Sequence, residues 1–264
     1  VSADLVWGWA AVGFALLVPA ALWAGRRDTR LLDGVRLWAK PFKFALSLAI
    51  HFATFAVIAR CLSDAERQRG WLVAAAAASA AAGALELAYI AVQAARGRHS
   101  HFNTATRLEA VASVLMGVGA LVVIAPGPVV GIALALAPPA GWPAAVVVGT
   151  VCGLVGGAAL TVLTAGRMGA VRSHYATGRP AVERFMPVTG WSLTGADLRP
   201  SHFLATHMMQ VVPAAAVIAA WVWPAPAAMA ASVAVALGWT AVTLALFRRT
   251  VRRRVGQPVS GLRM

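Results

Sequence analysis

Polar residues along this chain are gathered into short connections between long apolar blocks. The blocks run from Leu5 to Trp23, Pro41 to Cys61, Trp71 to Ala95, Thr106 to Ala125, Trp142 to Gly166, His202 to Trp223 and Ala227 to Phe247. Each is about 20 residues, the length at which an α-helix crosses the hydrocarbon core of a bilayer. Blocks of this length that carry Gly, Ala and Pro freely imply helices and not a barrel. The pattern predicts an all-α integral membrane helical bundle of about seven transmembrane helices. It forms one domain over residues 1–247, followed by a basic tail over 248–264. The run Val129 to Ala137 is too short to cross alone. It either extends the fourth helix past a proline kink or lies at the interface.

Composition agrees. Of 264 residues, 60% are hydrophobic and 12% charged, with mean hydropathy +0.74. Soluble domains carry about a quarter charged residues. The net charge of +14 is explained by topology: of the 23 Lys and Arg, all but Arg60, Arg67 and Arg69 fall in alternate connections or the tail. The positive-inside rule then puts the N-terminus outside and the C-terminus in the cytoplasm of a bacterial inner membrane. The tail sequence RRTVRRRVG, Arg248 to Gly256, is expected to meet anionic lipid head groups. No nucleic-acid partner is expected, and a homo-oligomer or a larger membrane complex stays open. The first block is followed by GRRDTR, without a small-residue cleavage signature, so a removed leader is not expected. Cys61 and Cys152 support neither a disulfide framework nor a thiolate cluster.

Two small-residue surfaces suit close helix packing: AAAAASAAAG from Ala74 to Gly83, and Gly149, Gly153 and Gly157. Other spans keep polarity where lipid makes it costly. Lys43, Ser47, His51 and Thr54 are three or four apart and share one helix face. So do Ser79, Gly83, Glu86, Tyr89, Gln93 and Arg96 in the third span, and Thr106, Glu109, Ser113 and Met116 in the fourth. The sixth offers His207, Gln210 and Pro213. At 1.5 Å per residue, His51 and Glu86 lie roughly 15 Å from the cytoplasmic helix ends, and Glu109, His207 and Gln210 roughly 5 to 12 Å. One cytoplasm-facing cavity shared by these groups is the expectation, roofed by RGRHSHFNTAT, RSHYATGRP and GWSLTGADLRPSHF.

Glu86 is the strongest single candidate, since a carboxylate near the midplane must be neutral, paired or metal-bound. His51 and Lys43 are its expected partners. His202 and His207 are five apart, about 140° around an ideal helix, so one ligand reaches both only if the first turn is distorted. His202 also suits an interfacial residue bonded to a loop carbonyl, and His51 a hydrogen-bonded core residue. His99, His101 and His174 sit in connections that solvated turns would explain equally well. Asp197 and Arg199 also suit a mutual pair or a cap on the sixth helix. Together, Glu86, Glu109, Asp197 and up to five His supply the imidazole and carboxylate set that Zn or Fe prefers.

The stretches KPFKFALS, YIAVQAARGRHSHFN and GADLRPSHFLATHMMQVVP resemble a family of uncharacterised bacterial multi-pass membrane proteins bearing SHFN and DLRxxHFxxxH motifs. The resemblance covers roughly Lys40 to Pro213, with Ala196 where the pattern has Gly. It carries over Lys40, Lys43, Glu86, Gln93, His101, Asn103, Asp197, Arg199, His202, His207 and Gln210, and implies no activity.

Four functions compete. The first is a metal or haem site serving a membrane oxidoreductase on a lipid or quinone-like substrate. A metal ion (Fe or Zn) would use His101, His202, His207 and one carboxylate, leaving a position open for substrate or water, with His51 and His174 as further candidates and Glu86, Asp197 and Gln210 in catalysis. Haem b would take two His from different helices, with Lys43, Arg98 or Arg199 near the propionates. The second is a metal-dependent lipid hydrolase of the alkaline-ceramidase kind, though the paired His at i, i+4 of that plan is missing. The third is a proton or cation pathway built on Glu86 and His51. The fourth is a non-catalytic membrane assembly subunit.

Overall fold

The structure, a computed structural model, describes residues 1–187 and 189–253. It is an all-α bundle in which seven helices are long and apolar enough to cross a membrane. In chain order these are α1 (Ala3–Arg27), α2 (Ala39–Ala59), after a short α3 (Asp64–Arg67), α4 (Gly70–Ala95), then α5 (Arg107–Ile124) with α6 (Pro126–Leu136). The fifth span is α7 (Ala144–Val151), a π-helical turn at Cys152–Gly156 and α8 (Gly157–Val171). α9 (Arg199–Val222) and α10 (Ala225–Arg252) complete the set. Helix therefore continues past Ala125, and Val129 to Ala137 extends the fourth span to Leu136. Large side chains such as Trp9, Leu16, Leu85, Leu108 and Trp221 stand exposed on the helices, as a bilayer-embedded chain requires. α10 takes the first residues of the basic tail into helix; residues 254–264 lie outside the described residues.

The chain divides into two units, Val1–Val130 and Gly131–Met264. Lipid removes most of the hydrophobic drive between helices, so close fit and internal hydrogen bonds must hold each unit. In the first, Trp7 packs on Phe55 at 5.0 Å and Phe14 stacks on Phe52 at 5.5 Å. Gly83 on α4 lets this pair approach: a Cβ there would lie 3.1 Å from the Phe52 ring and 3.3 Å from Phe14. The Trp7 indole N–H, with no water to meet it, donates to Ser79 Oγ at 3.1 Å.

The α1 to α2 connection holds a two-stranded hairpin, β1 (Leu31–Leu32) and β2 (Val35–Arg36). Asp33 and Gly34 form its turn with φ of 54° and 78°, the positive pair that a two-residue hairpin of the matching twist demands. Its arginines close helix ends: Arg30 donates to the Ala95 carbonyl at 2.9 Å and Arg36 to the Gly25 carbonyl at 3.2 Å. Asp28 accepts from Arg30 and from the Trp38 indole, and these bonds hold its carboxyl well below the usual carboxylate range.

In the second unit the glycine ridge of the fifth span faces α9. A Cβ on Gly149 would lie 2.4 Å from Ala216 Cβ, and one on Gly153 2.8 Å from Pro213 Cδ. The long connection before α9 folds back on itself through the pair Tyr175 and Asp197 and the pair Phe185 and Ser192. Arg253, just after α10, donates to the carbonyls of Gly195 and Thr194 at 2.8 and 3.0 Å.

Candidate functional site

The connection between α4 and α5 re-enters the first unit. Gly97 and Phe102 take positive φ of 68° and 56°. Asn103 N–H then donates to Ser113 Oγ, and the Ser113 hydroxyl donates to the Asn103 carbonyl, each at 3.1 Å, well inside α5. Irregular backbone at this depth is tolerated because protein groups satisfy it. Gln93, fully buried on α4, adds a bond from its amide to the His99 carbonyl at 3.3 Å.

This fold-back carries His101 to Glu86. Glu86 is 5% exposed, and His101 Nε2 lies 3.9 Å from its Oε2. On the far side of the ring, Lys40 Nζ is 3.1 Å from Nδ1 and 2.7 Å from Ser100 Oγ, which itself lies 3.3 Å from Nδ1. A lysine ammonium only donates, so Nδ1 accepts and the neutral ring carries its proton on Nε2, facing the carboxylate. The 3.9 Å separation exceeds a hydrogen bond. On α5, Gly119 leaves room for the carboxylate: a Cβ there would lie 2.6 Å from Glu86 Oε1.

Glu109 is held differently. Its carboxylate accepts from Arg98 at 3.1 Å, Gln93 at 3.2 Å and the Thr106 hydroxyl at 3.1 Å, while its N–H donates back to Thr106 Oγ1 at 3.2 Å. Thr106 thus caps the start of α5, with Glu109 held by its hydroxyl and by an arginine, and this fixes the loop that bears His101. Arg98 thus serves the helix start. His51 donates from Nε2 to the Val123 carbonyl at 3.1 Å and packs its ring on Phe52 and Phe55. Lys43 lies on α2 beyond Lys40 and is half-buried.

The second unit carries its own polar group. His202 Nδ1 lies 2.9 Å from Thr164 Oγ1, whose hydroxyl back-bonds to the Leu160 carbonyl at 2.9 Å. With that proton committed, His202 Nδ1–H donates and Nε2 keeps its lone pair. His207 is hydrogen-bonded to Gln210 and packs on Phe203 with ring centres 4.2 Å apart; Phe203 in turn meets Trp191. Asp197 is buried with both oxygens engaged. Arg199 grips them with Nε and Nη2, at 2.7 to 3.1 Å, and backbone N–H groups of Ser192 and Arg199 donate at 2.7 and 2.9 Å. The pair orders the turn into α9. His174 accepts the Leu198 N–H on its carbonyl at 2.8 Å, tying the preceding loop to that turn.

Among the described residues, no group of three or more His, Cys, Asp or Glu is arranged to hold a metal ion. Sequence reasoning singled out Glu86 and His101 but gave no role to Ser100, Gly119 or Thr164, and reached Lys40 only through resemblance. Gly119 shares its apolar block with Gly117, and the sequence does not tell the two apart. Neither family models, curated proteins nor solved structures contain a match to this chain.

Proposed function

We propose that this multi-pass membrane protein moves protons, with Lys40, His101 and Glu86 as the relay of its first unit. The observation that carries the reading is the line of three titratable groups, Nζ to Nδ1 at 3.1 Å and Nε2 to Oε2 at 3.9 Å. His101 accepts a proton at Nδ1 from the Lys40 ammonium and releases the Nε2 proton to Glu86. The carboxylate becomes neutral on receiving it, which removes the cost of a bare charge in lipid. Reversal of the two steps, or a ring flip after Lys40 regains a proton from water, resets the chain. The Lys and Arg distribution supports a bacterial inner-membrane protein with N-terminus outside and C-terminus cytoplasmic, so that the relay draws on the cytoplasm. The same distribution supports contact of the basic tail with anionic lipid. The SHFN stretch holds His101 and the DLRPSHFLATH stretch holds the α9 group, which supports kinship with the family they resemble.

Purified chain in liposomes under an imposed pH gradient tests this. Wild-type protein is expected to carry protons well above empty liposomes, and Glu86→Gln to reduce that flux to the empty level. Equal flux from both rejects the relay.

A specific observation favours a second reading, a metal ion (Fe or Zn) or haem b held on α9. A metal-bound histidine gives its other N–H to an acceptor. Thr164 plays that part for His202, whereas His101 Nδ1 receives from an ammonium. With His207 and Gln210 nearby, this supports a cofactor site acting on a lipid or quinone-like substrate. Metal analysis and the visible spectrum of untagged protein decide it: bound metal lost in His202→Ala and kept in His101→Ala supports the site, and metal-free wild type never exposed to chelator rejects it.

A further inference from the structure

The relay occupies one end of the first unit, and the opposite end holds another buried carboxylate. Asp4, on the first turn of α1, is 5% exposed. Its charged neighbours come from the elements packed around it: Arg60 Nε, after α2, lies 3.9 Å from Oδ2, and Arg67 Nη1, on α3, 3.7 Å. Both separations exceed a hydrogen bond. Asp4 Oδ1 and Arg67 Nε are buried with no hydrogen-bond partner among the described residues. Arg67 is bonded more closely to Asp64 than to Asp4, and Glu66 is taken by Arg69 at 2.8 Å. Elsewhere in this unit, buried Glu109 has a full set of close donors. Asp4 has enclosure without them.

The way from Asp4 to Glu86 follows α1 and α4. The Trp7 indole and Ser79 are bonded to each other one turn inward from Asp4. Next along α4 comes Gly83 with the stacked Phe14 and Phe52 against it, and then Glu86. Polar groups thus approach from both ends and stop at an aromatic plug. Two proton-binding carboxylates on either side of a dry barrier are what a pathway across the unit needs, because each exchanges with one face only while the barrier holds.

We infer that Asp4 is the far proton-binding site of the pathway, separated from Glu86 by the Phe14 and Phe52 pair. The inference rests on the proton-movement reading and extends it to the other membrane face. It is tested on the full chain in liposomes, with flux read by a trapped pH dye. Asp4→Asn is expected to lower flux at least tenfold and Asp4→Glu to restore it to within threefold of wild type. Asp4→Ser, smaller and without a carboxyl group, serves where Asn does not insert. Infrared difference spectra between acid and neutral pH give a second readout: Asp4→Asn and Glu86→Gln are each expected to remove a separate carboxylic acid band. If wild type conducts, Glu86→Gln does not, and folded Asp4→Asn conducts fully with its band pattern unchanged, Asp4 is off the path and this inference alone falls. If wild type does not conduct, the proton-movement reading falls and takes this one with it.

Discussion

Lys40 donates to His101 Nδ1 across 3.1 Å, and that contact decides which edge of the ring carries the proton. An imidazole whose Nδ1 is occupied by an ammonium presents Nε2–H to Glu86. The polarity is the reverse of what a metal-bound histidine shows, and it is the physical reason for assigning His101 to proton transfer and His202 to any cofactor.

Gly119 sets the position of the Glu86 carboxylate. Gly119→Ala forces a Cβ to 2.6 Å from Oε1, so the carboxylate must rotate away from its place against α5. The carboxylate is the far end of a flexible side chain and moves aside at little cost in stability; what is lost is its alignment with His101, and about 1.4 kcal/mol added to a transfer barrier is tenfold in rate. Proton flux is expected to fall at least about tenfold in Gly119→Ala. It should be unchanged in Gly117→Ala, where a Cβ meets nothing within 4 Å.

The fifth span depends on its ridge. Gly149→Ala drives a Cβ to 2.4 Å from Ala216 and is expected to destabilise the second unit by about 1–3 kcal/mol despite better helix propensity. Gly166→Ala, with open space around it, should be neutral or slightly stabilising. Denaturant unfolding in mild detergent separates the two; equal midpoints would remove the ridge from the packing account.

Tyr175 reports on the loop before α9. Burial first, and then its hydroxyl bond to Glu183, push its phenol above the usual range. A raised folded value means the folded loop keeps a proton that the unfolded chain gives up near pH ~10. The associated stability is full below about pH 10 and is lost as pH rises through the folded value. The chain has 2 Tyr, so Tyr89→Phe isolates Tyr175. Its tyrosinate absorbance should rise well above pH ~10 when folded and near it when unfolded. Coincident curves would mean the loop is open in solution.

The spans were legible because block length and bilayer thickness constrain each other. Glu86 was legible because a carboxylate inside a third span has few innocent explanations. Its partners were not. Counting depth from helix ends treats a connection as flat, which pairs Glu86 with His51 or Lys43; the connection instead folds inward and brings His101. Asp33–Gly34 spells a hairpin turn that block length alone does not reveal. The π-helical turn at Cys152–Gly156 has no signature in the sequence beyond its glycines, since it answers Pro213 and Met208 on α9.

Groups acting as one relay lose their function together. Proton flux through liposomes carrying Lys40→Gln, Glu86→Gln or both therefore tests the central claim most directly. The expected result is strong loss in each single variant and no further loss in the double. Independent, multiplicative losses, or wild-type flux no greater than empty liposomes, would contradict a Lys40, His101 and Glu86 relay.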